Sequence, residues 1–170
     1  EGSTFRRNTG RVGGALLLTA STGGTIRNSN FLENRAYRHV SEATAGLGGA
    51  IYVLAGTHTI VNNTFAGNIA DNEGGAIYQA AGTANIYLDT FVGNTCKGAS
   101  CKTDIGKTGT PTQVIKASLF ASASPSTTGV TADGTLLICI LPPPLTTAGD
   151  KDFYAQPSTV TTGCVGDGIS

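Results

Sequence analysis

Residues 48–77 read GGAIYVLAGTHTIVNNTFAGNIADNEGGAI and contain one full period of an internal repeat. The tetrapeptide Gly-Gly-Ala-Ile that begins at Gly48 returns at Gly74, a spacing of 26. Between the two copies lies a second motif, Phe-x-x-Asn, formed by Phe65 and Asn68. Two motifs that alternate at a fixed spacing are typical of a solenoid, in which each copy stacks on the next.

Both motifs recur in phase over residues 1–121. The spacings between successive Phe-x-x-Asn motifs are 26, 34 and 26, and the longest of them contains an eight-residue insertion. An isoleucine precedes each later phenylalanine by five positions, and the pair recurs once more as Ile115 and Phe120 without an asparagine. The repeated residues are Phe5, Phe31, Phe65 and Phe91; Asn8, Asn34, Asn68 and Asn94; and Ile26, Ile60 and Ile86.

The composition of each period predicts strands only. A period contains about three short alternating or β-branched stretches, such as residues 59–61, and no helical period persists for twelve residues. Because one copy cannot bury its apolar face alone, equivalent Phe, Ile and Asn side chains are expected to form columns through stacked coils. We therefore predict an all-β, right-handed parallel β-helix, with about six coils for the whole length at 26 residues each. Its repeat region is residues 1–121, and residues 122–170 form an irregular, disulfide-pinned capping segment.

These repeats resemble those of the chlamydial polymorphic outer membrane proteins and of related right-handed parallel β-helix proteins. The resemblance is strong over residues 1–95 and weak over residues 112–121, whereas residues 122–170 fit no repeat. It implies a surface-exposed adhesive or structural β-helix without enzymatic activity. An extracellular or cell-surface location is the corresponding expectation.

Charge and cysteine content narrow the function classes. Lys and Arg total 11 and Asp and Glu total 11, which argues against a generally basic, nucleic-acid-binding surface. The sequence contains no run of eighteen apolar residues, so no membrane-spanning helix is predicted. No Cys-x-x-Cys zinc spacing occurs, so disulfides in an exported protein are expected. Of three possible pairings we favour Cys96–Cys101, which closes a short loop, and Cys139–Cys164.

The acids and histidines do not form a recognisable catalytic or metal-binding pattern. Pectate-lyase-like enzymes share the predicted fold, and their chemistry needs acids that converge in neighbouring coils. Asp71 and Glu73 have no acidic counterparts before the first Gly-Gly, and Asp89 aligns with Asn63 and Ser29. We therefore predict no catalytic residue, metal ligand or cofactor.

Two features are candidates for interaction or modification. The insertion at residues 35–47 is a candidate glycan-binding loop through Arg35, Arg38, His39 and Glu42, and the alternative is a tolerated surface insertion. Asn62 begins an Asn-x-Thr glycosylation sequon. Strand alternation from an inward-facing Ile60 predicts that the Asn62 side chain does not point outward.

Three functions are compatible with these observations. The leading one is a secreted structural or adhesive β-helix that stacks end to end into a fibre by strand addition, because no polar cap precedes the first coil. Its partners would be copies of itself or neighbouring β-helix segments. The alternatives are a polysaccharide-binding or polysaccharide-cleaving β-helix and a fragment of a larger surface adhesin.

Overall fold

The computed structural model describes residues 1–19, 22–42, 44–99, 101–116, 118–121, 131–133, 136–138 and 155–156, with only the backbone described for residue 22 and for the last three ranges. The predicted fold class is confirmed: this part of the chain is a parallel β-solenoid. It contains no α-helix, and therefore no helix that is long and apolar enough to cross a membrane.

Each coil contributes one strand to each of four parallel sheets. The first coil comprises β1 (Thr4–Arg6), β2 (Thr9–Gly10), β3 (Leu16–Leu18) and β4 (Thr22–Arg27). The second comprises β5 (Asn30–Leu32), β6 (Arg35–Ala36), β7 (Ile51–Val53) and β8 (Thr57–Val61). The third comprises β9 (Thr64–Ala66), β10 (Ile69–Ala70), β11 (Ile77–Gln79) and β12 (Thr83–Tyr87). The fourth comprises β13 (Thr90–Val92), β14 (Thr95–Cys96), β15 (Ile105–Lys107) and β16 (Thr112–Lys116).

Further strands extend two of the sheets. Strands β17 (Leu119–Ala121) and β18 (Thr131–Asp133) pair in parallel with β13 and β16. Strand β19 (Leu136–Ile138) follows β17 in parallel, and β20 (Ala155–Gln156) pairs antiparallel with β19.

In the part of the chain that the structure describes the solenoid has about four coils, so the predicted number of six is too high. Division of the whole length by one repeat assumed a constant period, whereas the sequence separations between paired phenylalanines are 26, 34, 26 and 29. Loops in the second and fourth coils account for the longer separations. Each coil also has four strands where three were predicted, because the short strands β2, β6, β10 and β14 contain too few residues to show alternation.

The core consists of columns of identical side chains at the strand spacing of about 4.8 Å. Parallel register places Phe5, Phe31, Phe65, Phe91 and Phe120 one above the other, with successive ring centroids 4.7–4.9 Å apart. Ile26, Ile60, Ile86 and Ile115 align in another of the four sheets. From the second coil onward these phenylalanines and isoleucines are fully buried.

Candidate functional site

An asparagine ladder runs along one corner of the solenoid. The Oδ1 atom of each asparagine from the second coil onward accepts hydrogen bonds from the backbone N–H and the Nδ2 atom of the asparagine one coil earlier, at 2.9–3.0 Å. Each Nδ2 from the second coil onward also donates to the carbonyl oxygen of the preceding coil's phenylalanine. The buried amides therefore hold adjacent coils together. The ladder consists of Asn8, Asn34, Asn68 and Asn94.

The residue before each ladder asparagine adopts a left-handed conformation. Its φ is 55° at Arg7, 55° at Glu33, 62° at Gly67 and 59° at Gly93. This turn ends the phenylalanine strand and directs the following asparagine into the corner. The repeated sequence therefore encodes the ladder through both the turn and the amide.

Asp104 ends this ladder in the place of a fifth asparagine. Its Oδ1 atom accepts a hydrogen bond from Asn94 Nδ2 at 2.9 Å, and the residue is fully buried. The predicted Cys96–Cys101 disulfide is present and closes the loop that leads to Asp104. Cys139 and Cys164 lie outside the described residues. The repeat pattern did not reveal Asp104, because it belongs to a non-repeated loop.

A second polar ladder occupies another corner. Side-chain oxygens of Ser29, Asn63, Asp89 and Ser118 each accept the backbone N–H of the equivalent residue one coil earlier, at 2.6–3.2 Å. Asp89 aligns with Asn63 and Ser29, as the spacing predicted. Burial raises the pKa of Asp89 to about 7, although hydrogen bonds from Asn63 and from the Tyr87 backbone act in the opposite direction. Its Oδ2 atom is buried without a hydrogen-bond partner in the described part of the chain.

Asn68→Ala is expected to reduce the free energy of unfolding by at least about 2 kcal/mol. The substitution leaves the Asn34 backbone N–H and the Phe31 carbonyl buried without their side-chain partner, and each such group costs roughly 1–3 kcal/mol. Asn30→Ala is the control, because Asn30 lies exposed in the neighbouring strand β5. Urea denaturation measures both variants, and equal effects would contradict a structural role for the ladder.

The insertion is shorter than predicted. Arg35 belongs to strand β6, and Leu47 forms bridges to Val12 and Glu73, so the protruding loop spans residues 37–46. We call these residues the insertion loop. The predicted boundaries of 35–47 are therefore wrong by a few residues at the start and one at the end. The number of extra residues, eight, could be counted from the sequence, but the ends of the two flanking strands could not be located from it.

Ion pairs already occupy two of the four candidate binding residues. Arg35 Nη2 lies 2.9 Å from both carboxylate oxygens of Asp71, which also pairs with Lys97 at 3.2 Å. Glu42 forms an ion pair with Arg11 of the first coil. The Arg11–Glu42 and Arg35–Asp71 contacts fasten the insertion loop and the strand before it to coils one and three. Arg35 and Glu42 therefore act in these ion pairs to hold the loop in place.

Arg38 and His39, the other two candidate binding residues, have exposed side chains. The Arg38 backbone N–H donates to Asp71 at 3.2 Å, whereas its side chain is exposed. His39 is exposed, and its Nδ1 atom lies 3.0 Å from Ser41 Oγ. Burial opposes ionisation of Asp71, but hydrogen bonds from Arg35, Arg38 and Lys97 outweigh it and hold the pKa of Asp71 below its usual value.

Three of the four described acids of coils three and four have side-chain partners within the solenoid. Asp71 binds cations, and Asp89 and Asp104 lie buried in the two polar ladders. Glu73 is half-buried, and this burial raises its pKa. Within the residues that the structure describes, no three His, Cys, Asp or Glu side chains are grouped so that they could hold a metal ion.

Asn62 is exposed, so the expectation that it would not point outward is wrong. Its φ of 54° breaks the strand alternation after Ile60, with the result that Asn63 turns inward and Asn62 turns outward. Its Nδ2 atom donates to Asn28 Oδ1 at 2.8 Å. Glycosylation of Asn62 stays a prediction.

Comparison with known protein families gives a match within the repeats. Residues 64–80, which contain strands β9 and β10 and the third Gly-Gly, match the Chlamydia polymorphic membrane protein repeat. The resemblance of the repeats is thus shown for this segment. No curated protein and no solved structure matches the chain.

Proposed function

We propose that this chain is part of a surface-exposed, non-enzymatic β-helix with a structural or adhesive role, and that further coils, of neighbouring copies or of adjoining β-helix segments, stack on its first coil. The observation that carries the proposal is the apolar end of the first coil. Phe5, Leu16, Leu18 and Ile26 are only partly buried there. Their equivalents one coil later, Phe31, Ile51, Val53 and Ile60, are fully buried beneath another coil.

The backbone at this end also favours addition of a coil. Strands β1, β2, β3 and β4 each lie at one edge of their sheet in the described part of the chain. An open edge offers N–H and C=O groups that can pair with a further strand. A second copy that continued the parallel register would also extend the phenylalanine column and the asparagine ladder.

The distribution of charge favours head-to-tail contact. Residues 1–30 contain four arginines and one glutamate, a net charge of +3. Residues 122–170 contain four aspartates and one lysine, a net charge of −3. Opposite charges in these two parts of the chain would steer the head of one copy toward the tail of another. Such a heterologous contact does not close on itself and builds filaments.

The match to the chlamydial repeat supports both a cell-surface location and a structural or adhesive class of function. That repeat comes from a polymorphic membrane protein, and a cell-surface or extracellular location is the corresponding proposal for this chain. The disulfide Cys96–Cys101 fits an oxidising compartment. The structural partners of Asp71, Asp89 and Asp104 support a role without catalysis.

The test is the assembly state of the oxidised, full-length protein. Sedimentation velocity and negative-stain electron microscopy over a range of concentrations are expected to show rods that lengthen with concentration. Phe5→Asp is expected to abolish the lengthening, because a carboxylate would replace the exposed end of the phenylalanine column. Thr4→Asp, on the outward face of the same strand, is the control and is expected to assemble normally.

Circular dichroism of both variants verifies that they fold. A wild-type protein that stays monomeric at high concentration would contradict end-to-end stacking. Assembly of Phe5→Asp to the same extent as Thr4→Asp would contradict the role of the first coil.

A further inference from the structure

The positive charges of the solenoid are concentrated on one side. Five of the six arginines and Lys97 lie at the end of strand β1, on the sheet β2–β6–β10–β14, on the turns beside it or on the insertion loop. We call this surface the basic flank, and its cations are Arg6, Arg7, Arg11, Arg35, Arg38 and Lys97. Its acids are Glu33, Glu42 and Asp71, so six cations and three acids leave a net charge of +3. The turn after β10 also carries Glu73, whose charge is balanced by that of nearby Lys102.

Ion pairs within the basic flank do not neutralise it. Arg6 and Arg7 share the single carboxylate of Glu33. Arg35 and Lys97 share Asp71 in the same way. The Arg38 guanidinium forms no ion pair with any residue that the structure describes. The side chains of the paired cations are 45–67% exposed, so these charges face solvent.

The cations of the basic flank come from three coils, with Arg6, Arg7 and Arg11 in the first, Arg35 and Arg38 in the second and Lys97 in the fourth. Backbone hydrogen bonds align Arg11, Tyr37, Asp71 and Lys97 as one column through the four coils. Successive members of a column are about 4.8 Å apart. Val40, at the tip of the insertion loop, is 90% exposed, and Tyr37 at its base is 39% exposed. The basic flank therefore combines cations from several coils with exposed apolar surface.

We propose that the basic flank binds an acidic polysaccharide, a glycan chain that carries carboxylate or sulfate groups on recurring sugars. Such a chain lying along the axis would meet cations of coils one, two and four. The planar guanidinium donates two parallel hydrogen bonds to a carboxylate or sulfate. Tyr37 and Val40 offer apolar surface to the sugar rings.

Anchoring of the insertion loop makes this surface suitable for binding. The Arg11–Glu42 ion pair and the hydrogen bond from Gly46 N to Arg11 O join the loop to the first coil. The hydrogen bond from Asn72 N to Gly46 O joins it to the third coil. A loop that is already ordered loses less conformational entropy when a ligand binds.

The proposal rests on the proposed function only for the surface location, and its test is independent of assembly. The oxidised, full-length protein is applied to immobilised heparin and to polygalacturonate, with neutral dextran as the uncharged probe. We expect binding to one or both acidic glycans that weakens as salt increases, and no binding to dextran.

The double variant Arg7→Ala/Arg38→Ala is the decisive one, because it leaves Glu33 paired with Arg6 and breaks no other ion pair of the basic flank. Its Kd is expected to rise at least about tenfold, since one charge-assisted hydrogen bond contributes roughly 1.5–3 kcal/mol. Arg27→Ala/Lys116→Ala removes the same charge from the sheet β4–β8–β12–β16 and is expected to change the Kd by less than about threefold.

Three results would overturn the proposal. They are absence of binding to both acidic glycans at low salt, equal weakening by the two double variants, and competition by DNA as strong as competition by free glycan. If the acidic residues 122–170 of the same or another copy occupied the basic flank, the protein would bind neither acidic glycan, which is the first of these results. Phe5→Asp is expected to bind glycan normally, so failure of the stacking proposal would not affect this test.

Discussion

Gly75→Ala is expected to reduce the free energy of unfolding by about 3 kcal/mol or more, whereas Gly93→Ala is expected to reduce it by only about 1–2 kcal/mol. Both residues are glycines in turns of the same solenoid. They differ in what a methyl group would meet. Equilibrium urea denaturation of the oxidised protein measures the difference.

The second glycine of each Gly-Gly pair lies against the backbone of the next coil. A Cβ atom at Gly14 would lie 2.1 Å from the Gly49 carbonyl oxygen, and one at Gly49 would lie 1.9 Å from that of Gly75. At Gly75 it would lie 2.0 Å from Thr103 O and 2.6 Å from Thr95 O. These neighbours are main-chain atoms, so the clash can be relieved only by moving two hydrogen-bonded coils apart.

Gly93 is the matched control. Its φ is 59°, and no heavy atom lies within 4 Å of a Cβ built there. Alanine at this position therefore adds only the steric penalty of a left-handed backbone, which Arg7 and Glu33 already tolerate at equivalent turns. Equal destabilisation by the two variants would show that coil spacing adapts to an extra methyl group, contrary to the prediction.

Asp89→Asn is expected to stabilise the protein above neutral pH and to flatten its pH dependence. Burial raises the pKa of Asp89 from 3.8 to about 7 in the folded state. The folded state therefore retains a proton that the unfolded state releases, and stability falls as the pH rises from about 4 to about 7. Between pH 5 and pH 8 the loss is about 2–3 kcal/mol, from about 1.36 kcal/mol for each pKa unit.

The amide introduced by Asp89→Asn fits the ladder at every pH. In the preceding coil Asn63 Nδ2 donates to Ile26 O at 3.1 Å. The equivalent acceptor for residue 89 is Ile60 O, because Ile60 follows Ile26 in the same column. The unpartnered Oδ2 of Asp89 would thus be replaced by a donor that has an acceptor.

Urea denaturation at pH 5 and pH 8 tests this prediction, with Asp71→Asn as the control. The folded-state pKa of Asp71 is lowered, so its contribution to stability is present above the unfolded pKa and is lost as the pH falls. Asp71→Asn should therefore leave the decline between pH 5 and pH 8 intact. If Asp89→Asn also left that decline intact, Asp89 would not be its source.

Much of the fold could be predicted because the chain repeats its own sequence. Parallel strands in register place residues one period apart in direct contact, so the spacing of Phe65 and Phe91 already predicts a shared column. The same reasoning placed Ile60 beside Ile86 and aligned Asp89 with Asn63. Identical neighbours pack at the strand spacing without any further information about shape.

Contacts between non-repeated residues could not be predicted in this way. Asp104 completes the asparagine ladder only because the loop closed by Cys96–Cys101 returns the chain to Asn94. The number of coils likewise depended on loops whose lengths follow no period. Sequence spacing indicates register within a repeat, but it does not indicate where an insertion ends.

The sequence by itself therefore determined the β-helix, its repeating core and the residues of its main ladder, because each is set by a contact between equivalent positions. Only the tertiary structure decided which charges share a surface. A chain with equal numbers of acids and bases has a solenoid with a basic flank, since Asp89 and Asp104 are buried in ladders while Arg7, Arg11 and Arg38 face solvent. Net charge is a sum over the chain, whereas a surface depends on which side chains the coils turn outward.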